Sequence, residues 1–427
     1  MNVRRNAVST AVMVAVVVVV VVIAAAGVYV AMNPGSANTI TVTNTNTVTN
    51  TNTVTNTNTV TNTNTITNTN TVTSTLAGVG CPTSTVSVNG AGGTLVYPLM
   101  SAWTFAYQQV CPKVQVNYQS VGSGAGINAI TAGTVNFGES DAPLTSAQYG
   151  GLPSGTTLLT VPVSDSGVVP AYNFPASANI TKPLRFTGNL LALIFLGNIT
   201  MWNDPAIAAL NPGVTLPAQS IAVIHRSDGS GTMFAFTNYL SDSNQFWKTH
   251  VGTSTLVNWP TGRGCKGNEG VAGCIANTQY SIGPLEIAYE IINKGLISYG
   301  SVQNAAGNFI LANLTNIQRA VDAGAKGLPA GNAHWTGVSV INNVFNDTTD
   351  TGIYPISTLT YALVYQQQTG DQAAAQATVN FLWWVVNSGQ TAGANLGYPP
   401  LPSGIITIDD ATLNSITYNG TPLHTGS

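Results

Sequence analysis

The run His225-Arg226-Ser227-Asp228-Gly229-Ser230-Gly231-Thr232-Met233-Phe234 fixes both a local fold and a chemistry in this chain. An apolar stretch of buried-strand type, Ile221-Ala222-Val223-Ile224, precedes it, and residues 234–240 carry apolar side chains at helical spacing, so the run is a strand-to-helix turn. The first N–H groups of a helix have no partner within the helix, and the dipole places partial positive charge there, so such a turn offers bonds to an oxyanion. Ser230 and Thr232 add hydroxyls, Arg226 adds a planar fork of donors, and Gly229 and Gly231 let the backbone approach closely. The plainer reading is a surface turn in which Arg226 pairs only with Asp228.

Three further stretches offer the same chemistry. Gly90-Ala91-Gly92-Gly93-Thr94 and Ser120-Val121-Gly122-Ser123-Gly124-Ala125-Gly126 are Gly/Ser/Thr loops, and Phe137-Gly138-Glu139-Ser140-Asp141-Ala142-Pro143-Leu144 sets carboxylates among small residues. With these, the chain from about Val86 onward resembles the phosphate-binding proteins of high-affinity phosphate ABC importers, a family of type II periplasmic binding proteins. The resemblance is carried by Gly-Ala-Gly-x-Thr, Gly-Ser-Gly-x-Gly, Phe-Gly-x-Ser-Asp-Ala-Pro-Leu, Arg-x-Asp-Gly-Ser-Gly-Thr and Lys266-Gly267-Asn268-Glu269-Gly270. It implies a two-lobed α/β fold with hinge crossings and a cleft that closes on inorganic phosphate for delivery to ABC transporter permease subunits, with no cofactor, no metal and no catalytic residue. It places phosphate against Thr94, Leu95, Ser123, Asp141, Arg226, Ser230, Gly231 and Thr232. The family commonly has Phe where Leu95 stands, but the backbone N–H is the group expected to act there.

From Val86 the pattern reads helix over 94–109, strand over 113–118, helix over 124–131 and strand over 135–137, which is βαβ-like. Residues 168–174 and 361–365 read as strands where the family crosses between lobes. The domains are therefore 84–168 plus 355–427 for lobe one and 169–354 for lobe two. Residues 190–196 read as lobe-two helix, and Trp383 and Trp384 as part of a helix packed into lobe one.

Only 6% of residues are charged and the net charge is −3; beyond Arg4 and Arg5 the chain carries ten basic and fifteen acidic residues. Neither nucleic acid nor an anionic membrane surface suits that balance. So few surface charges suggest an acidic extracellular habitat, in which little stability is lost between neutral pH and about pH 3. Cys81, Cys111, Cys265 and Cys274 suit two disulfides in an exported chain, with 81–111 and 265–274 each closing a local loop; a metal site lacks the spacing. Asn179, Asn198, Asn313, Asn346 and Asn419 are glycosylation sequons. A serine hydrolase or phosphatase is the rival enzyme reading, but the turn lacks Gly-x-Ser-x-Gly, and His225 lies on the strand side of Ser230. A binding protein for a different oxyanion would use the same loops, and a purely structural surface protein would account for the N-terminal 80 residues but not for the loops.

Residues 1–33 are a basic head followed by an uncharged apolar run over 7–32, with valine at every position from 16 to 22, long enough to span a bilayer. Arg4 and Arg5 orient it so that the remainder lies outside the cytoplasm. A signal peptide cleaved near Ala24-Ala25-Ala26 is the competing reading. Residues 34–80 are a Thr/Asn stalk, possessing an apolar residue at every sixth position: Val42, Val48, Val54, Val60, Ile66 and Val72. Such a segment cannot build a core. Extended, it would reach on the order of 120 Å; the rival is β-type stacking between chains. With the anchor retained, the native protein fractionates with membranes and is released by a cut in the repeat, and recovery of a free species beginning near Ala26 overturns the anchor.

Overall fold

The computed structural model describes residues 40–51, 61–72 and 80–423. The chain divides into two compact units, 1–77 and 78–427. In the first, strands Ile40–Thr51 and Thr61–Val72 pair antiparallel, in a register that sets Thr opposite Thr at alternate positions (Thr41↔Thr71 through Thr51↔Thr61). This corrects the extended single-chain stalk. The β-branched Thr favours strand, and the repeat supplies its own complementary partner within the chain, so the segment folds back on itself. The apolar run over 7–32 lies outside the described residues, and no helix among those described is long and apolar enough to cross a membrane.

The second unit is α/β. Its main elements are β1 (Val86–Gly92), α1 (Tyr97–Val110), β2 (Val114–Ser120), α2 (Ser123–Thr131), β3 (Phe137–Ser140), β4 (Leu158–Asn173), β5 (Ala222–Arg226), α3 (Gly231–Ser243), β6 (Arg263–Cys265), α4 (Gly267–Ala276), β7 (Ser281–Glu286), β8 (Ser357–Tyr365) and α5 (Gln372–Val386). One sheet runs in the order β2-β1-β3-β8-β4-β7-β5-β6, and the two-residue strand Ser298–Tyr299 adds to β4. Strands joined through helices are parallel, β1 with β2 and β5 with β6. Those bordering β4 are antiparallel to it.

β4 is the member common to both halves. It pairs with β8 through 158–167 and with β7 through 168–173. The sequence pattern marks only 168–174, because Thr160, Ser164, Asp165 and Ser166 interrupt the apolar run before it, yet each is at most 1% exposed. Pro162 is accommodated where the register with β8 shifts, a bulge that removes the need for its missing N–H. β3 likewise extends through Gly138, Glu139 and Ser140, beyond the 135–137 expected from apolarity alone, with all four of its residues buried.

Local chemistry sets the helix ends. Asp371 caps α5 by accepting the N–H groups of Ala373 and Ala374, and Ser230 caps α3 by accepting that of Met233. Trp384 of α5 packs 5.3 Å from Tyr107 of α1, so the twin-tryptophan helix lies against the β1–β2 half. Disulfides join Cys81 to Cys111, behind α1, and Cys265 to Cys274, across the start of α4.

Besides Glu139, three carboxylates lie in this core with no exposure: Asp165, Glu286 and Asp409. Burial pushes all three above the ordinary range, Glu286 to about 8, against the pull of hydrogen bonds from Ser166, the Ala288 N–H and Tyr398. A carboxylate raised in the folded state binds a proton that the unfolded chain has released. Its contribution is complete below the unfolded value, near 4, and is lost as pH rises through the folded value. The ligand-free protein is therefore expected to melt several degrees higher at about pH 5 than at about pH 8.5. A melting temperature that is flat, or that falls over that interval on acidification, contradicts the buried protons.

Candidate functional site

The carboxyl ends of parallel strands in an α/β sheet open onto a common crevice. Here β1 delivers Thr94, β2 leads into Ser123, β3 leads into Asp141, β5 ends at Arg226, and β6 leads into α4. Thr94, Ser123, Asp141, Arg226, Ser230 and Thr232 are all at most 2% exposed. The plain surface turn is thereby excluded, although the Arg226–Asp228 pair it supposed does form.

Arg226 donates from Nε to Asp228 Oδ1 at 2.8 Å, from Nη2 to Asp228 Oδ2, and from Nη1 to Thr94 Oγ1 at 3.0 Å. Asp228 also accepts the Gly267 N–H at 3.1 Å, which ties the start of α4 to the ion pair. Across the crevice, Ser123 Oγ donates to Asp141 Oδ2 at 3.2 Å and accepts the Gly231 N–H at 3.0 Å. Asp141 Oδ1 accepts from Thr360 Oγ1 at 2.8 Å. The Gly124 N–H donates to the Gly229 carbonyl at 3.2 Å. The two halves of the sheet therefore meet through hydrogen bonds between small residues.

Two glycines make that approach possible. Gly122 has φ +92°, and a Cβ there would lie 2.6 Å from Asp228 Oδ2. At Gly231 a Cβ would lie 2.3 Å from Asp141 Cβ and 2.7 Å from its main chain.

The electrostatics separate the two aspartates. Burial pushes Asp141 up to about 6, against hydrogen bonds from Thr360 and Ser123 and the Arg226 charge. For Asp228 burial acts in the same direction, but the Arg226 hydrogen bonds and charge and the Gly267 N–H outweigh it and hold its carboxyl below the usual range. Behind the crevice, Glu139 is fully buried and pushed well up by burial and by Asp141; Tyr118 donates toward both Gly93 O (2.8 Å) and Glu139 Oε2 (3.1 Å).

The site residues expected from sequence thus lie together, in distinct ways. Arg226, Thr94 and Thr232 are linked through Asn268 in one hydrogen-bond network, and Ser123, Asp141 and Gly231 form a second beside it. Ser230 acts as the α3 cap, and Leu95 turns its side chain into the core while its carbonyl accepts the Tyr398 hydroxyl at 2.6 Å. His225 stacks on Trp259 at 4.8 Å and contacts the Arg226 carbonyl through Nδ1, so it is not poised as a base for Ser230. Among the described residues no cluster of His, Cys, Asp and Glu could hold a metal. Asn268, Tyr289 and Thr360 join the site without having been singled out. Asn268 lies in the Lys266–Gly270 motif, the one signal that pointed there, whereas Tyr289 donates to Thr94 O at 2.6 Å from a helix with no motif at all.

Residues 79–388 match the model of the PBP superfamily domain. The chain is 42% identical over 325 residues to the phosphate-binding protein PstS of Xylella fastidiosa strain Temecula1, covering 76% of this chain and 84% of that protein. To the phosphate-binding protein PstS of Methanocaldococcus jannaschii it is 32% identical over 345 residues, covering 78% and 87%. The crystal structure of a phosphate-binding protein from Stenotrophomonas maltophilia superposes with a TM-score of 0.56 at 17% identity, covering 77% of this chain and 93% of that one, a likeness of fold. With a two-lobed α/β architecture and sequence identity of this extent, the chain belongs to the PstS phosphate-binding proteins of the PBP superfamily.

Proposed function

We propose that this protein captures inorganic phosphate between its lobes outside the cytoplasm and passes it to an ABC importer, without turnover. The observation that carries the reading is a carboxylate, Asp141, placed within an otherwise donor-rich buried site beside Arg226. Hydroxyls, N–H groups and a guanidinium suit any tetrahedral anion. A carboxylate repels one, unless the anion keeps a proton that the carboxylate can accept. Phosphate near neutral pH has such a proton and sulfate has none. The ligand set is Thr94, Leu95, Ser123, Asp141, Arg226, Ser230, Gly231 and Thr232, the lobes are 84–168 plus 355–427 and 169–354, and the apolar run over 7–32 anchors the domain at the membrane.

Sites that pair a ligand hydroxyl reject an analogue lacking it by ~10⁴–10⁵. Titration calorimetry with phosphate and sulfate, beside a phosphoester turnover assay, is expected to show tight phosphate binding, weak sulfate binding and no product. Asp141→Asn keeps measurable phosphate binding and loses the discrimination. In the native protein discrimination weakens as pH falls through about 6, where Asp141 gains its own proton and can donate to sulfate. Equal affinity for the two anions at about pH 8, or full selectivity in Asp141→Asn, would falsify the role of Asp141; phosphoester turnover would restore the enzyme reading.

Closure gives a second prediction. A methyl group at Gly231 collides with main-chain and Cβ atoms of Asp141, which cannot swing aside as a long side chain could. Gly231→Ala is expected to weaken phosphate binding by about tenfold or more and to abolish ligand-dependent compaction in solution scattering. Native affinity and native compaction in that variant show that the lobes do not meet at Gly231.

A further inference from the structure

Three consecutive carbonyls after β1 each receive a tyrosine hydroxyl. Tyr118 donates to Gly93 O at 2.8 Å, Tyr289 to Thr94 O at 2.6 Å and Tyr398 to Leu95 O at 2.6 Å. The three tyrosines come from separate parts of the fold: Tyr118 from β2, Tyr289 from the helix Ile287–Ile292, and Tyr398 from the segment ahead of the helix Ser403–Asn414. Each hydroxyl oxygen also has a glutamate beside it, Glu139 Oε2 at 3.1 Å, Glu269 Oε1 at 3.0 Å and Glu286 Oε2 at 3.1 Å. A carbonyl has no hydrogen to give, so each short carbonyl contact takes the single hydrogen of its hydroxyl. In every case the carbonyl is the nearer of the two partners. Burial pushes Glu139 and Glu286 toward the neutral form, in which the carboxyl can itself donate to the tyrosine oxygen behind that bond.

We propose that Tyr118, Tyr289 and Tyr398 are positioning residues that hold three successive peptide units by their oxygen ends and so present the N–H groups of Thr94, Leu95 and Val96 to the bound anion. The inference rests on the phosphate reading above. In a trans peptide unit the C=O and the N–H point to opposite sides. Gly93 O shares its unit with the Thr94 N–H, Thr94 O with that of Leu95, and Leu95 O with that of Val96. Tying the oxygens to tyrosines therefore turns the hydrogens the other way, and Val96, at the head of α1, supplies no capping side chain to take them. The loop lies against the site: Thr94 Oγ1 receives Arg226 Nη1, and a Cβ at Gly93 would lie 3.0 Å from Asp141 Oδ1. A hydrogen bond to the oxygen also polarises its peptide unit, which strengthens the N–H as a donor. Tyr289 differs from the other two. In the lobe division proposed above it stands on lobe two and Thr94 on lobe one, so the Leu95 N–H acquires its final hold only when the lobes meet.

The test is calorimetric titration of the full chain with inorganic phosphate, joined to amide-proton NMR of Thr94, Leu95 and Val96 with and without phosphate, for the native protein, Tyr118→Phe, Tyr289→Phe and Tyr398→Phe. Phe keeps the ring and removes only the hydroxyl. Tyr289→Phe is expected to weaken phosphate binding ~10-fold, the worth of one hydrogen bond, and to reduce the downfield shift that phosphate induces in the Leu95 amide proton. Tyr118→Phe reduces the corresponding shift of Thr94, and Tyr398→Phe that of Val96. Ser120→Ala is the control, since it removes the hydroxyl that donates to Glu269 across the same rim but touches none of the three carbonyls. It leaves the Leu95 shift as in the native protein, whatever it does to affinity. Tyr289→Phe decides alone should the other two fail to fold, because the glutamate it leaves behind, Glu269, is exposed. Affinities within about twofold of native, or losses of affinity with the Leu95 shift unchanged in Tyr289→Phe, overturn the inference and leave phosphate binding standing. A native protein that binds no phosphate overturns both.

Discussion

A single buried guanidinium sets the terms for the cleft. Arg226 is 1% exposed, and an isolated charge at that depth costs far more than folding can supply. Asp228, two residues along the same turn, offsets the cost with two parallel hydrogen bonds, so the pair is set by local sequence. What remains is distributed outward. Nη1 reaches Thr94 after β1, and the spare capacity of Asp228 takes the Gly267 N–H at the head of α4. Three segments distant in sequence are thereby referred to one planar group. This explains why Lys would be a poor substitute, since a point charge on a flexible stem cannot fix three directions at once.

Because Asp228 already balances Arg226, an anion entering the site is not met by net positive charge. It is met by oriented dipoles: the start of α3, the hydroxyls of Ser123, Thr94 and Thr232, and main-chain N–H groups. In the proposed reading, Asp141 makes the site less hospitable to anions in general and selective among them. The neighbouring carboxylates follow the same logic in the protein itself. Burial drives Glu139 and Glu286 toward the neutral form, and the nearby Asp141 charge pushes both further the same way. A chain with only 6% charged residues places several of its few carboxylates where water cannot reach them.

The strand-to-helix turn at Ser230, the helices at α1 and α2 and the disulfide pairs could be read from the chain because each depends on residues adjacent in sequence or on local loop closure. β4 could not. In its buried polar run Ser164-Asp165-Ser166, Ser166 donates at 2.6 Å to Glu286, a partner 120 positions away that no local pattern reports. β3 was missed at Glu139 for the same reason, its partner Tyr118 lying on β2. Asn268 and Thr360 belong to the site by virtue of distances across 174 and 219 positions, which no spacing rule reports. The pairing of the Thr/Asn strands was missed differently: alternation of Thr predicts extended backbone but is silent on whether the partner strand lies in the same chain.

Hydrogen bonds between small residues also determine how the lobes part. Contacts across the crevice include Gly231 to Ser123, Gly124 to Gly229, Arg226 to Thr94, Asn268 to Thr94 and Tyr289 to Thr94, with Glu269 accepting from Ser120 at 3.0 Å at the exposed rim. Apart from the Tyr289 ring, none buries a large apolar side chain. An apolar seam would hold the lobes shut in proportion to its area, whatever the ligand. Polar contacts exchange for water at small net free energy, so closure is weak until an anion satisfies donors from both sides together. The hinge allows this because β4 passes between the halves as one continuous strand, with Gly167 and Val168 at the change of partner from β8 to β7. A cleft built this way can be closed tightly by its ligand and still be opened by a partner that needs to displace only hydrogen bonds.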